Sequence, residues 1–173
     1  MRILGIDPGI AIVGYGVIDA CRGKFRLVAM GASRTPTGIP VEKRVEMVYD
    51  DICELIDTYK PDCMSCEELF FNTNQKTAIA VAEARGVILL AAMKKNLDFY
   101  EYTPLQVKQS VVGYGRAEKR QVIALVKNIL GFDETRDLKL DDTADALALA
   151  ICHAHCRGSR IQEFYNKKKK KLL

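Results

Sequence analysis

Apolar positions recur along this chain with two different periods, and the switch between them marks its elements. Arg2–Asp7 reads Arg-Ile-Leu-Gly-Ile-Asp and runs into Pro8-Gly9, which predicts a strand closed by a turn. Residues 13–19 and 24–33 predict two further strands, parted by a turn at 20–23, so the first three elements predict an antiparallel meander. After a loop at 35–40, helical spacing takes over at Val41, Val45, Val48, Ile52, Leu55, Ile56 and Tyr59. Pro61 breaks the chain, and 62–67 predicts a fourth strand. Residues 77–95 predict a second long helix rich in small residues (Ala80, Ala82, Ala84, Gly86, Ala91, Ala92). Such a helix is either buried all round or packed on both the sheet and a partner. Asp98–Tyr102 predicts a fifth strand, and Pro104 opens a short helix to about Val112. Gly113-Tyr114-Gly115 is a break, 117–130 a helix, 131–140 a polar loop and 142–156 the last helix.

The order β-β-β-α-β-α-β-α-α-α predicts an α/β fold, a mixed sheet with helices on both faces. It reads as one domain over residues 1–160, followed at 161–173 by a basic tail expected to be disordered. With 173 residues and 49% hydrophobic composition the chain can bury a core, and no apolar run approaches the ~20 residues of a spanning helix.

Charge changes the picture less than it first suggests. The net charge is +4, with 26 Lys and Arg against 22 Asp and Glu. Lys167 to Lys171 are five consecutive lysines, and without them 21 basic residues face 22 acidic ones. The body is therefore nearly neutral, and the tail reads as a solvated charge block before it reads as a phosphate contact. The first residues lack the apolar core and cleavage site of a signal peptide, so the expected compartment is the cytoplasm, with thiols reduced.

That expectation shapes the reading of Cys21, Cys53, Cys63, Cys66, Cys152 and Cys156. Cys63 and Cys66 lie on a predicted strand, where residues three apart face opposite sides, so one metal cannot easily reach both. Cys152 and Cys156 share a helix face, while His153 and His155 point elsewhere. Small buried apolar residues explain these thiols better than tetrahedral zinc.

The carboxylates are more informative. Asp7 closes an apolar strand, and Glu67 and Glu68 close another. Asp142 and Asp145 open the last helix three residues apart, above a face continued by Leu149, Cys152 and Cys156. Singly, each acid has an ordinary reading as a turn residue, an N-cap or a first-turn acid. Together, three acidic places at element ends suggest a site for hard divalent ions, since clustered carboxylates repel and oxygen donors suit Mg²⁺ or Mn²⁺. Two such ions can hold a phosphodiester for in-line attack by water.

The residues now in view resemble the RuvC family of bacterial Holliday junction resolvases. The likeness begins at Leu4-Gly5-Ile6-Asp7-Pro8-Gly9 and Gly14-Tyr15-Gly16-Val17. It continues through Glu67-x-x-Phe70, Ala84-Arg85-Gly86-Val87, Val107-Lys108-Gln109, Val111-Val112-Gly113 and Ala117-Glu118-Lys119. It closes with Asp142-Thr143-Ala144-Asp145-Ala146-Leu147-Ala148, covering roughly residues 1–155 in family order. The resemblance implies an RNase H-like fold with a five-stranded mixed sheet flanked by helices. It implies a crossover junction endodeoxyribonuclease that acts as a homodimer, nicks four-way DNA symmetrically and leaves 5'-phosphate and 3'-hydroxyl ends. It selects Glu67 over Glu68, because Phe70 follows at the family spacing, and Asp142 over Asp141. The implied metal and catalytic set is Asp7, Glu67, Asp142 and Asp145, with Mg²⁺ or Mn²⁺ and two ions per site. Lys108 and Lys119 match basic family positions, and Arg116 stands near Lys119. Phe70 is the expected stacking contact with an unpaired base. The implied partners are the junction itself and the RuvA–RuvB branch-migration complex.

Three other functions compete. An RNase H-like nuclease acting on pre-ribosomal RNA shares the fold. An actin- or sugar-kinase-like module shares Gly5-Ile6-Asp7-Pro8-Gly9 but needs a second domain. An inert DNA-binding protein has no use for an acidic quartet in its binding face.

Overall fold

The computed structural model describes residues 1–69, 75–132 and 141–157; the side chains of 75–77, 141 and 142 fall outside that description. The predicted elements form in the predicted order. They are β1 (Arg2–Asp7), β2 (Ile12–Cys21), β3 (Lys24–Arg34), α1 (Val41–Tyr59), β4 (Cys63–Glu67), α2 (Gln75–Lys94), β5 (Asp98–Tyr102), α3 (Pro104–Val112), α4 (Lys119–Leu130) and α5 (Asp141–Cys156). The five strands make one mixed sheet in the order β3-β2-β1-β4-β5. β1 and β3 each pair antiparallel with β2, while β1 and β5 flank β4 in parallel.

Several boundaries move for local reasons. The expected turn at 20–23 shrinks to Arg22-Gly23, because both residues take positive φ (48° and 77°), the backbone of a two-residue hairpin turn. β2 therefore runs on through Ala20 and Cys21. Thr103 caps α3 by accepting from the Gln106 N–H, while the Gln106 side chain accepts from the Thr103 N–H at 2.8 Å. α4 begins at Lys119, not Ala117, with the Glu118 N–H donated to Gln121 Oε1 at 2.8 Å. The expected loop at 131–140 and the tail at 161–173 lie outside the described residues, apart from Gly131 and Phe132. Gly131 closes α4 with a left-handed φ of 65°.

The sheet separates two cores. Ile3, Ile18, Cys63, Tyr102, Val107, Val122, Val126 and the inner face of α5 pack on one side, beneath α3, α4 and α5. Leu4, Ile6, Val17, Val48, Ile52, Met64, Cys66 and Ile88 pack on the other, beneath α1 and α2. The split of Cys63 and Cys66 between the two cores is the strand alternation expected from their spacing.

α5 lies closer to the sheet than side chains normally permit. A Cβ on Gly5 would stand 1.9 Å from the Ala146 carbonyl oxygen, and one on Gly16 would stand 2.6 Å from Leu147 Cδ2. Two glycines in register across β1 and β2 thus open a trough, and the small face of α5 drops into it. This seating fixes the height of α5 above the ends of β1 and β4.

α2 is not buried all round. Ala84, Ile88, Ala91 and Ala92 are covered, while Ile79, Glu83, Gly86, Leu90 and Met93 are exposed. The exposed set follows i, i+4, i+7, i+11, i+14 spacing and forms one face. Of the two readings of this helix, the buried-all-round one is therefore set aside.

Candidate active site

Strand parity puts Asp7 and Glu67 on one side of the sheet. Ile3 and Gly5 face α5, so Asp7, two residues on, faces the same side at the end of β1. On β4, Cys63 lies in the core beneath α5, and the same parity carries Ser65 and Glu67 to that side. Because β1 and β4 are parallel, both acids emerge at C-terminal strand ends. Asp145 stands in the first turns of α5, directly before Ala146, whose carbonyl rests on Gly5. Ligands gather at such strand ends in sheets of this type.

The electrostatics record the clustering. Burial pushes the Glu67 carboxyl pKa up, the charge of Asp145 pushes it further in the same direction, and Lys119 draws it back. Lys119 Nζ lies 3.1 Å from Asp145 Oδ2. This lysine, expected as a DNA contact, thus also stands beside an acid of the expected metal set. Glu68 is exposed and gives its backbone N–H to the Tyr102 carbonyl at 2.9 Å.

The donor set suits a hard cation, being made of carboxylates whose mutual repulsion is already visible at Glu67. Thr143, between Asp142 and Asp145, carries a buried hydroxyl with no hydrogen-bond partner, as does Ser65 on the Glu67 face. Among the described residues no group of three His, Cys, Asp or Glu side chains is already arranged as a metal cage. The Asp142 side chain lies outside the description; its backbone is the second residue of α5.

The other expected contacts lie on α3 and in the segment between α3 and α4. Lys108 is half-buried on α3, Arg116 is exposed between the Gly113 break and the buried Ala117, and Tyr114 stands out at 46% exposure. Phe70 lies outside the described residues. The histidines near the α5 cysteines are engaged elsewhere: His153 Nδ1 meets Tyr102 Oη at 2.7 Å, and His155 Nδ1 lies 3.1 Å from the Ser110 carbonyl. What sequence reasoning missed is the pairing of Lys119 with Asp145. Their sequence separation hides a contact made only when α4 and α5 pack together.

A family model described as "Crossover junction endodeoxyribonuclease RuvC" matches residues 3–153. A crossover junction endodeoxyribonuclease RuvC of Clostridioides difficile is 54% identical over 155 residues, covering 90% of each chain. One from Caldicellulosiruptor saccharolyticus is 51% identical over 154 residues, covering 88% of this chain and 92% of the relative. Among solved structures, Thermus thermophilus RuvC in complex with Holliday junction substrate superposes with a TM-score of 0.84 at 35% identity, covering 91% of this chain and 94% of that one. With the five-stranded mixed sheet and the acids at its parallel strand ends, these likenesses settle the lineage: the chain belongs to the RuvC family of crossover junction endodeoxyribonucleases.

Proposed function

We propose that this chain is a metal-dependent endonuclease that resolves four-way DNA junctions by paired, symmetric nicks. The reading is supported by Asp7 and Glu67 at the ends of two parallel strands and by Asp145, whose charge reaches Glu67 and which pairs with Lys119, in a chain of the RuvC family. Asp7, Glu67, Asp142 and Asp145 would hold the cation, Mg²⁺ or Mn²⁺, two per site. When bound, such ions supply Lewis-acid polarisation of the phosphodiester.

The chain's own groups do the rest. The trough of Gly5 and Gly16 fixes α5, and with it Asp145, against the strand ends that carry Asp7 and Glu67. Lys119 offsets the carboxylate charge, which otherwise repels the anionic backbone of DNA. Lys108 and Arg116 face phosphates along the α3–α4 edge and position the duplex arm. Phe70 stacks on a base unpaired at the crossover, beside Glu67 in sequence.

Paired nicks need two sites related by a two-fold axis. The exposed apolar face of α2 supports a homodimer, with Ile79 at 65%, Leu90 at 47% and Met93 at 49% exposure. The branch-migration proteins RuvA and RuvB are the proposed partners, and the cytoplasm the proposed compartment. Among the described residues no helix is long and apolar enough to cross a membrane.

The test is cleavage of a synthetic four-way junction with Mg²⁺ by wild type and by Asp7→Asn. The reading expects two symmetric nicks from wild type, and junction binding without cleavage from the variant. Failure of wild type to cut the junction with either Mg²⁺ or Mn²⁺ sinks it.

A further inference from the structure

The last turn of α5 holds two thiols that the nuclease reading does not use. Cys152 and Cys156 stand one helical turn apart on the same face, with their sulfurs 4.0 Å from each other. Cys152 is fully buried, and its sulfur also lies 3.7 Å from the Gln106 carbonyl on α3. Cys156 is half-buried and is the final residue of the helix. The neighbouring histidines are held by Tyr102 and Ser110, so they do not complete a metal site with these sulfurs.

We propose that Cys152 and Cys156 are a redox pair, oxidised by hydroperoxides to a disulfide within the last turn of α5. Residues four apart on a helix have Cα atoms about 6 Å apart, inside the span that disulfides bridge. Closing the sulfurs to bonding distance takes about 2 Å of approach. Side-chain rotation and tightening of the final turn supply it. Only terminal helix bonds are at stake, such as the Arg157 N–H to His153 carbonyl at 3.0 Å. Helix ends give way far more easily than helix middles.

The two thiols are unequal. The Cys152 thiol keeps its proton, its pKa pushed up by the hydrogen bond to Cys156 and by burial. That same bond draws the Cys156 thiol pKa down. Cys156 is thus the attacking sulfur and Cys152 the resolving one. The Cys156 thiolate attacks one peroxide oxygen, and the O–O bond breaks. This leaves Cys156 as a sulfenic acid and releases the other fragment as an alcohol or water once protonated. Cys152 sulfur then attacks the sulfenic sulfur, its proton leaves with the hydroxyl as water, and the S–S bond forms. Two thiols lose two electrons in total, and the peroxide gains them.

The chain carries its own control. Cys63 and Cys66 are also close in sequence, but they face opposite sides of the sheet and cannot pair without unfolding β4. Trypsin places Cys152 and Cys156 together in residues 140–157; it spares the Lys60–Pro61 bond, so Cys63 and Cys66 share residues 45–76 with Cys53.

The experiment is brief hydrogen peroxide treatment of the full chain. Alkylation in denaturant, tryptic digestion and mass spectrometry follow. The expected result is peptide 140–157 lighter by about two hydrogens and unalkylated, restored by dithiothreitol, while Cys63 and Cys66 in peptide 45–76 stay alkylated at both sulfurs. Cys152→Ala should stop at a sulfenic acid on Cys156 that dimedone traps, and Cys156→Ala should leave Cys152 reduced. A thiol of lowered pKa holds more thiolate at neutral pH, partly offset by lower nucleophilicity. Cys156 should therefore oxidise ahead of the exposed Cys21. Two intact thiols in peptide 140–157 under conditions that oxidise Cys21, or disulfides only between molecules, would overturn the proposal.

Discussion

Replacing Gly5 with alanine adds one methyl group where α5 rests on β1, and the structure gives the size of the conflict. The new Cβ would lie 1.9 Å from the Ala146 carbonyl oxygen and 3.0 Å from both Ala146 C and Ala150 N. An ordinary carbon–oxygen contact is about 3.3 Å or more, so the gap is short by about 1.4 Å. Every obstructing atom is backbone, so no side chain can rotate away; α5 itself must rise. Overpacking a core costs about 1–3 kcal/mol, and a rigid obstacle puts Gly5→Ala at or above the upper end. That is a large share of a domain's ordinary stability of about 5–15 kcal/mol. The same lift moves Asp145 relative to Glu67, and a displacement of about 1 Å costs about a hundred-fold in rate. Gly16→Ala is the comparison, since its new methyl meets the Leu147 side chain at 2.6 Å and no backbone atom nearer than Leu147 N at 3.1 Å. Its expected cost is about 1 kcal/mol, with little loss of rate. Urea denaturation measures the first quantity, and junction cleavage well below the unfolding midpoint measures the second. A Gly5→Ala protein within about 0.5 kcal/mol of wild type and cleaving at the wild-type rate would refute the seating of α5 as the device that sets the site.

Three further outcomes are expected. His153 is 2% exposed, and burial, aided by Arg157, draws its pKa from 6.5 to about 4. The unfolded chain takes up this proton first, so the stabilisation is complete above pH 6.5 and is lost as pH falls toward 4, worth at most about 3 kcal/mol. Urea unfolding across that window should show a shallower pH slope for His153→Gln than for wild type; equal slopes would contradict it. Lys119→Met removes the cation beside Asp145. Both partners are well exposed, at 57% and 39%, so stability should change by less than about 1 kcal/mol. The Glu67 carboxyl should titrate higher than in wild type by carbon NMR, and an unchanged titration would show that Lys119 does not act on it. Leu90→Glu places a charge on the exposed face of α2 and should convert a dimer to a monomer in sedimentation without loss of helix content. A dimer that persists would move the interface elsewhere.

Much of this protein was legible in the residues because local rules suffice for it. The apolar run ending at Asp7, the heptad-like spacing from Val41 to Tyr59 and the Thr103-Pro104 helix start each specify an element through nearest neighbours alone. Strand parity also placed Cys63 and Cys66 on opposite faces. The exposed stripe of α2 was less legible. Its small residues fit either a buried helix or a docking face, and only the position of α1 and the sheet decides which side is covered.

The sequence by itself determined the order of elements, the mixed sheet and the acidic residues at element ends, since periodicity, turn chemistry and motif spacing are properties of short stretches of chain. Tertiary structure decided which groups meet. Lys119 pairs with Asp145 across two helices, and Glu67 feels Asp145 from another layer. Two glycines on different strands admit a helix more than a hundred residues away. Coulomb and contact energies depend on separation in space, and that separation is fixed only when the sheet and α5 close on each other.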